Sequence, residues 1–136
     1  VMAIRYVRVQ RNIQVGADPG IKFLARQVKN DTVSFDQIAE RVQAHSSMTK
    51  ADVYGSFMQA VEEITHELME GNPVQLGDLG TVYPTFNAKA MPTLDDVDAS
   101  TISKPKLRFL FSKKLREKMK TVPYVLDRPE EIKGLQ

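Results

Sequence analysis

The sequence predicts an α+β protein, and three observations carry that prediction. Strand-like and helix-like segments do not alternate but come in blocks, β-β, α-α, β-β-β, α, which excludes a doubly wound α/β sheet. Two helix starts are written out, at Ser34 and Thr49, each with a hydroxyl positioned to cap. A glycine-rich turn, Gly77-Asp78-Leu79-Gly80, sits between two short apolar runs and reads as the bend of a hairpin.

The elements follow in chain order. "AIRYVRVQ" places Ile4, Tyr6, Val7 and Val9 among Arg5, Arg8 and Gln10, and "IKFLARQV" alternates in the same way. The stretch between them, "NIQVGADPG", is dense in turn formers, so residues 1–33 are expected to form a β-hairpin with a long loop. Such a hairpin is marginal alone and needs something to pack on. Ser34 with Gln37 forms a capping box, and Phe35, Ile38, Ala39 and Val42 follow at helical spacing, so residues 35–45 are a helix. "HSSM" breaks it. Thr49 caps a second helix, with Asp52 in its first turn, where negative charge suits the dipole. Val53, Phe57, Ala60, Val61, Ile64 and Leu68 form its apolar stripe, Gly71 stands where a left-handed cap is favoured, and Pro73 cannot continue the helix.

Val74 to Leu76, the glycine turn and "TVYPTF" make a hairpin, in which Pro84 points to an edge or a bulge. "NAKAMPTLDDVDASTIS" is polar and reads as a loop or the tip of a ribbon. "KPKLRFLF" is a strand, and Ser112 caps a last helix over 113–120. The tail 121–136 carries two prolines and no periodicity, so it is expected to be mostly irregular.

Composition limits the chemistry. The chain has 136 residues and no cysteine, so disulfides and thiolate metal sites are excluded. His45 and His66 are too far apart for a compact metal motif. No apolar run reaches the roughly 18 residues of a membrane span, and the N-terminus lacks the apolar stretch of a signal peptide. Asp95, Asp96 and Asp98 suggest a magnesium site less well than a solvated loop, because few ligands converge there. No nucleophile elbow or paired-carboxylate pocket can be placed, so neither an enzyme nor a cofactor or small-molecule protein is expected.

The net charge of +2 hides its distribution. Residues 1–33 are +4, 34–72 are −5, 73–102 are −3, 103–120 are +7 and 121–136 are −1. A dense cationic segment against an acidic remainder suits a surface aimed at a polyanion, although a charge run is also what a solvated helix face looks like.

A phosphate loop would need a lysine after the second glycine and a helix beyond it; "GDLGTVYP" has neither. The turn sits instead in "MTKADVYGSFMQAVEEITHELMEGNPVQLGDLGTV", which resembles the HU/IHF family of bacterial histone-like DNA-binding proteins, in the longer form of Bacteroides-type bacteria. Thr49, Lys50, Asp52, Gly71, Val74, Leu76, Leu79, Gly80 and Val82 carry the resemblance. In "FLFSKKL", Phe109, Lys113 and Leu115 match a later family motif, while Phe111 and Ser112 replace its Pro-Gly. The resemblance spans roughly residues 34–120 and leaves the N-terminal hairpin and the C-terminal tail outside.

The resemblance implies two helices, an antiparallel three-stranded sheet with a β-ribbon arm, a short C-terminal helix and a dimer with a saddle that grips duplex DNA by its backbone. It implies a cytoplasmic, nucleoid-associated architectural protein of low sequence specificity. The apolar stripe agrees, since the short first helix cannot cover it and a partner subunit would. The DNA-binding residues expected are Lys104, Lys106 and Arg108 on a strand, Lys113, Lys114, Arg116, Lys118 and Lys120 on the last helix, and Lys89 in the arm. Arg5, Arg8, Arg11, Lys22, Arg26 and Lys29 would extend the surface if the hairpin docks suitably. The arm departs from the family pattern. Thr85 and Asn87 stand where arm arginines are expected, and the acidic tip repels phosphate. Pro92 beside Met91 is a turn proline rather than a wedge between bases. A second reading is therefore open: an HU-fold scaffold that joins proteins and has lost DNA bending.

Overall fold

A computed structural model describes residues 2–128 and the backbone of 132–133. The element order is β1 (Ile4–Ile13), β2 (Gly20–Gln27), α1 (Phe35–Ala44), α2 (Lys50–Met69), β3 (Val74–Gln75), β4 (Gly80–Thr85), β5 (Lys106–Phe111), α3 (Lys113–Lys120), β6 (Tyr124–Leu126) and β7 (Ile132–Lys133). The chain divides into two compact units, residues 33–117 and residues 1–32 with 118–136.

In the first of these, α1 and α2 start as their caps dictate. The Gln37 amide donates to Ser34 Oγ at 3.2 Å, and the Ser34 amide donates back to Gln37 Oε1 at 2.9 Å. The Asp52 amide donates to Thr49 Oγ1 at 3.1 Å. Phe35 stacks on Phe57 with centroids 3.6 Å apart and tilts against Tyr54, which fastens the start of α1 to α2. Lys50 Nζ lies 3.0 Å from both Asp36 and Glu40. These hydrogen-bonded carboxylates hold the Lys50 ammonium above its ordinary pKa, Glu40 first and Asp36 next. The sign follows: the lysine's contribution is fully present below the ordinary lysine range and is lost as strong alkali removes the proton. Ser34→Ala is expected to lower stability by about 1 kcal/mol, read as a shift in the denaturation midpoint, because it removes the hydroxyl that accepts from the Gln37 amide and leaves only the backbone half of the capping box.

Strands β3, β4 and β5 form an antiparallel sheet in that order. Pro84 fits because β3 pairs with Thr81 and Val82 and has ended before Pro84, leaving β4 an edge there. Beyond Thr85 the expected β-ribbon arm is cut short. Asn87 and Ser103 still bond, Ala88 bridges Ile102, and then residues 94–96 and 99–101 coil into single 3₁₀ turns. Asp98 caps the second turn by accepting from the Ser100 amide at 2.9 Å, and Thr101 is buried at its base. Short polar residues that bond their own backbone compete with a ladder, and here they win.

The other unit is a sheet ordered β2-β1-β6, with β7 also on β1. The hairpin is longer than expected, since β1 runs on to Ile13 and pairs there with Gly20. The tail is not irregular throughout: Tyr124, Val125 and Leu126 lie parallel to Ile4, Arg5 and Tyr6, and β7 lies parallel to Val9 and Gln10. It therefore joins the N-terminal hairpin in one sheet. Residues 129–131 and 134–136 of the tail fall outside the described residues.

Burial is sparse. Among the described residues the buried apolar side chains are Val7, Val9 and Ala39, and α2 buries none along its 20 residues. Two separate globules of these sizes would together expose roughly 8,600 Å². The chain exposes 11652 Å², about a third more than that scaling. Among the described residues, no helix is long and apolar enough to cross a membrane.

Candidate nucleic-acid interface

The interface is built on β4, β5 and the start of α3, and the glycine turn sets their geometry. Gly77 and Gly80 take φ values of 60° and 140°, conformations that side chains with a Cβ resist. Gly80 also lies against β5: a Cβ there would meet the Leu110 carbonyl oxygen, with Phe111 Cα at 2.8 Å. The Leu76 amide closes the turn on the Gly80 carbonyl at 2.7 Å. Ser112 then locks α3 to the turn. Its amide donates to the Leu79 carbonyl at 3.0 Å, its hydroxyl donates to the Asp78 carbonyl, and Oγ accepts from the Leu115 amide at 3.0 Å. Lys114 Nζ pairs with Asp78 Oδ2 at 3.0 Å. Turn, strand end and helix start are thus one connected piece.

The β4–β5 register decides which side chains share a face. Lys106 lies opposite Thr85, Arg108 opposite Tyr83 and Leu110 opposite Thr81. Directly opposed residues point the same way, so Lys106, Arg108, Tyr83, Thr81 and Thr85 form one face with two exposed cations. The other face carries Val82, Pro84, Leu107, Phe109 and Phe111, and it is apolar and uncovered. Leu107 is 63% and Phe111 53% exposed. Phe109 and Phe111 meet with centroids 4.8 Å apart.

The expected cations do not all stand together. Lys106 and Arg108 share a face, as alternation predicted, but Lys104 precedes the ladder, which begins at Lys106, so alternation does not reach it. On α3, helical spacing puts Lys113, Arg116 and Lys120 along one side, Lys114 and Lys118 beside them, and Leu115 and Met119 away from them. Lys114 is shared with Asp78; both side chains are exposed, so the pair is weak and exchangeable. Lys118 and Lys120 stand in the last turn of α3, past the boundary between the units at residue 117. Lys89 is exposed at the arm base, its amide donating to the Thr101 carbonyl at 2.9 Å. Tyr83 was missed as a candidate; the alternation of "TVYPTF" against "KLRFLF" carries the signal for it.

The arm tip bears Asp95, Asp96 and Asp98 beside exposed Leu94 and Val97. The Ser100 hydroxyl, and then its amide, hold the Asp98 carboxyl below its ordinary value of 3.8. A depressed carboxyl contributes stability above that value and loses it as pH falls through the lowered one, so the cap stays formed and charged at neutral pH.

Comparison with known proteins agrees with this geometry. The family described as an HU domain fused to a wHTH, Ig or glycine-rich motif matches residues 2–125. A crystal structure of a bacterial protein from Bacteroides vulgatus ATCC 8482, provisionally described as DNA-binding, is similar with a TM-score of 0.62 at 19% identity. The similarity covers 94% of this chain and 50% of that one, so the chain spans about half the length of its structural neighbour. No curated protein matches the sequence. The capped helix pair, the glycine turn and the three-stranded sheet all lie inside the matched residues, and the chain belongs to the family of HU domains fused to wHTH, Ig or glycine-rich motifs.

Proposed function

We propose that the chain works as an HU-like architectural protein of the cytoplasmic nucleoid, a homodimer that holds duplex DNA by phosphate contacts with little regard to sequence. The carrying observation is the two-sided sheet: Lys106 and Arg108 on one face, and bare Leu107, Phe109 and Phe111 on the other. The apolar face and the only partly covered stripe of α2 suit a second copy, because a stable dimer needs continuous apolar area. The cationic face, with Lys113 and Arg116 on α3, suits a DNA backbone. The provisional description of the Bacteroides protein as DNA-binding points the same way. No metal, cofactor or catalytic centre is needed.

The short, acidic arm argues against a grip that follows the minor groove, because carboxylates at the tip repel phosphate. It also favours a second reading, in which the exposed Leu94 and Val97 beside those carboxylates make the arm a contact for another protein. Light scattering and fluorescence anisotropy on a short random duplex separate these readings. The expected results are the mass of a dimer and, if about six phosphates are neutralised, a log–log salt slope of about −5. A monomer overturns the dimer, and a dimer that binds duplex more weakly than about 10⁻⁴ M favours the scaffold.

A further inference from the structure

The sheet built from the two ends of the chain has two unlike faces. Along β1, Arg5, Val7, Val9 and Arg11 point one way, and Ile4, Tyr6, Arg8, Gln10 and Asn12 the other. Val7 and Val9 are buried, so the first face is covered. The second face is open. In the β1–β2 register Gln27 lies opposite Tyr6, Ala25 opposite Arg8, Phe23 opposite Gln10 and Ile21 opposite Asn12, and opposed residues share a face. Strand β6 adds Tyr124 beside Ile4 and Leu126 beside Tyr6. Tyr124 is 74%, Phe23 64% and Ile21 58% exposed.

The aromatic groups run diagonally across this face. From Tyr124 to Tyr6 is one strand across and two residues along, about 8 Å. Arg8 follows two residues further along β1, and Phe23 is the diagonal neighbour of Arg8 on β2, another step of about 7–8 Å. Amides stand among the rings: Gln27 is opposite Tyr6 and Gln10 opposite Phe23. This interleaving differs from the apolar side of the β4–β5 pair, where Leu107, Phe109 and Phe111 adjoin Val82 and Pro84 without a polar break, as the centre of a protein interface requires. Evenly stepped rings with a guanidinium and amides between them suit unpaired bases, which stack on flat side chains and offer donor and acceptor edges. A duplex keeps its base faces stacked on one another and has none to offer. Charge agrees. Strands β1, β2 and β6 place no acidic residue on this face, and exposed Arg8 lies within it. Residues 1–32 and 118–136 together hold ten basic and five acidic side chains, net +5, whereas residues 33–117 hold nine and twelve, net −3.

We propose that this open face, through Tyr124, Tyr6, Arg8 and Phe23, is a stacking platform for single-stranded nucleic acid. It is independent of the duplex-binding face, whose residues Lys106, Arg108, Lys113 and Arg116 belong to the other unit.

Fluorescence anisotropy of the full chain with a labelled oligothymidylate of about 12 nucleotides, within the span that single-strand sites cover, tests the platform. Wild type binds the oligonucleotide. Phe23→Ala and Tyr124→Ala each weaken that binding roughly 5- to 150-fold and leave duplex binding unchanged. The aromatic-keeping variant Phe23→Tyr, Tyr124→Phe binds as wild type does, which separates loss of stacking from loss of fold. Wild type that does not bind the oligonucleotide overturns the platform, and so do alanine variants that bind it normally. Alanine variants that lose oligonucleotide and duplex alike also overturn it, because the rings then serve the fold or a shared site. Normal oligonucleotide binding by alanine variants that sediment as a smaller species overturns it too, and makes the face a contact between copies. Wild type that holds the oligonucleotide but no duplex leaves the platform standing and removes the duplex reading instead.

Discussion

Gly80→Ala is expected to destabilise the chain by roughly 2–5 kcal/mol, combining strain at a positive φ with overpacking. The two terms are independent. At φ 140° a side chain is strained whatever space surrounds it. Here the space is also filled, with Phe111 Cα at 2.8 Å and Phe109 Cε1 at 2.9 Å from where the methyl would stand. The neighbours in the way are mostly strand backbone and cannot step aside without breaking the Gly80–Phe111 pairing. Gly77 has the open surroundings that Gly80 lacks, so Gly77→Ala carries strain alone and should cost less, of order 1–3 kcal/mol. Urea denaturation of both variants checks the order. If Gly80→Ala were the milder one, the close approach of β4 to β5 would not be what requires glycine.

Reversing Lys106, Arg108, Lys113 and Arg116 to glutamate together is expected to abolish duplex binding while leaving the thermal midpoint within a few degrees of wild type. All four are exposed, and none takes part in the ion pairs that fasten the turn to α3, so the fold loses little. Binding loses four attractions and gains four repulsions, which moves the affinity by several orders of magnitude at moderate salt. Lys114→Ala serves as the contrast. It removes one exchangeable cation and frees Asp78, so its effect on binding should be small. A quadruple variant that retards DNA as well as wild type would show that the sheet face is not where DNA sits.

Much of this was legible in the sequence because the deciding signals are local. Ser34 with Gln37, Thr49 with Asp52, and Ser112 with Leu115 each place a helix start through a contact three residues away. The glycine turn and the alternation of Lys106 and Arg108 are local too. What escaped was long-range. The three residues of β6 are too few to show a period, and what makes them a strand is β1, some 120 positions earlier. The arm escaped because Asp98, Ser100 and Thr101 prefer bonds to their own backbone over a ladder. The distribution of charge misled in a third way. Counted along the chain, the cations crowd into residues 103–120, but folding groups residues 1–32 with 118–136 and makes that unit the positive one.

The parallel pairing of Ile4 with Tyr124 also governs the order of assembly at the ribosome. Residues 33–117 are contiguous and complete once the nascent polypeptide has passed them. The β1–β2 hairpin is made before β6 and β7 and waits for them before β1 is flanked on both edges, and a lone hairpin in water is marginal. Residues 1–32 therefore complete their sheet only after residues 33–117 have been made.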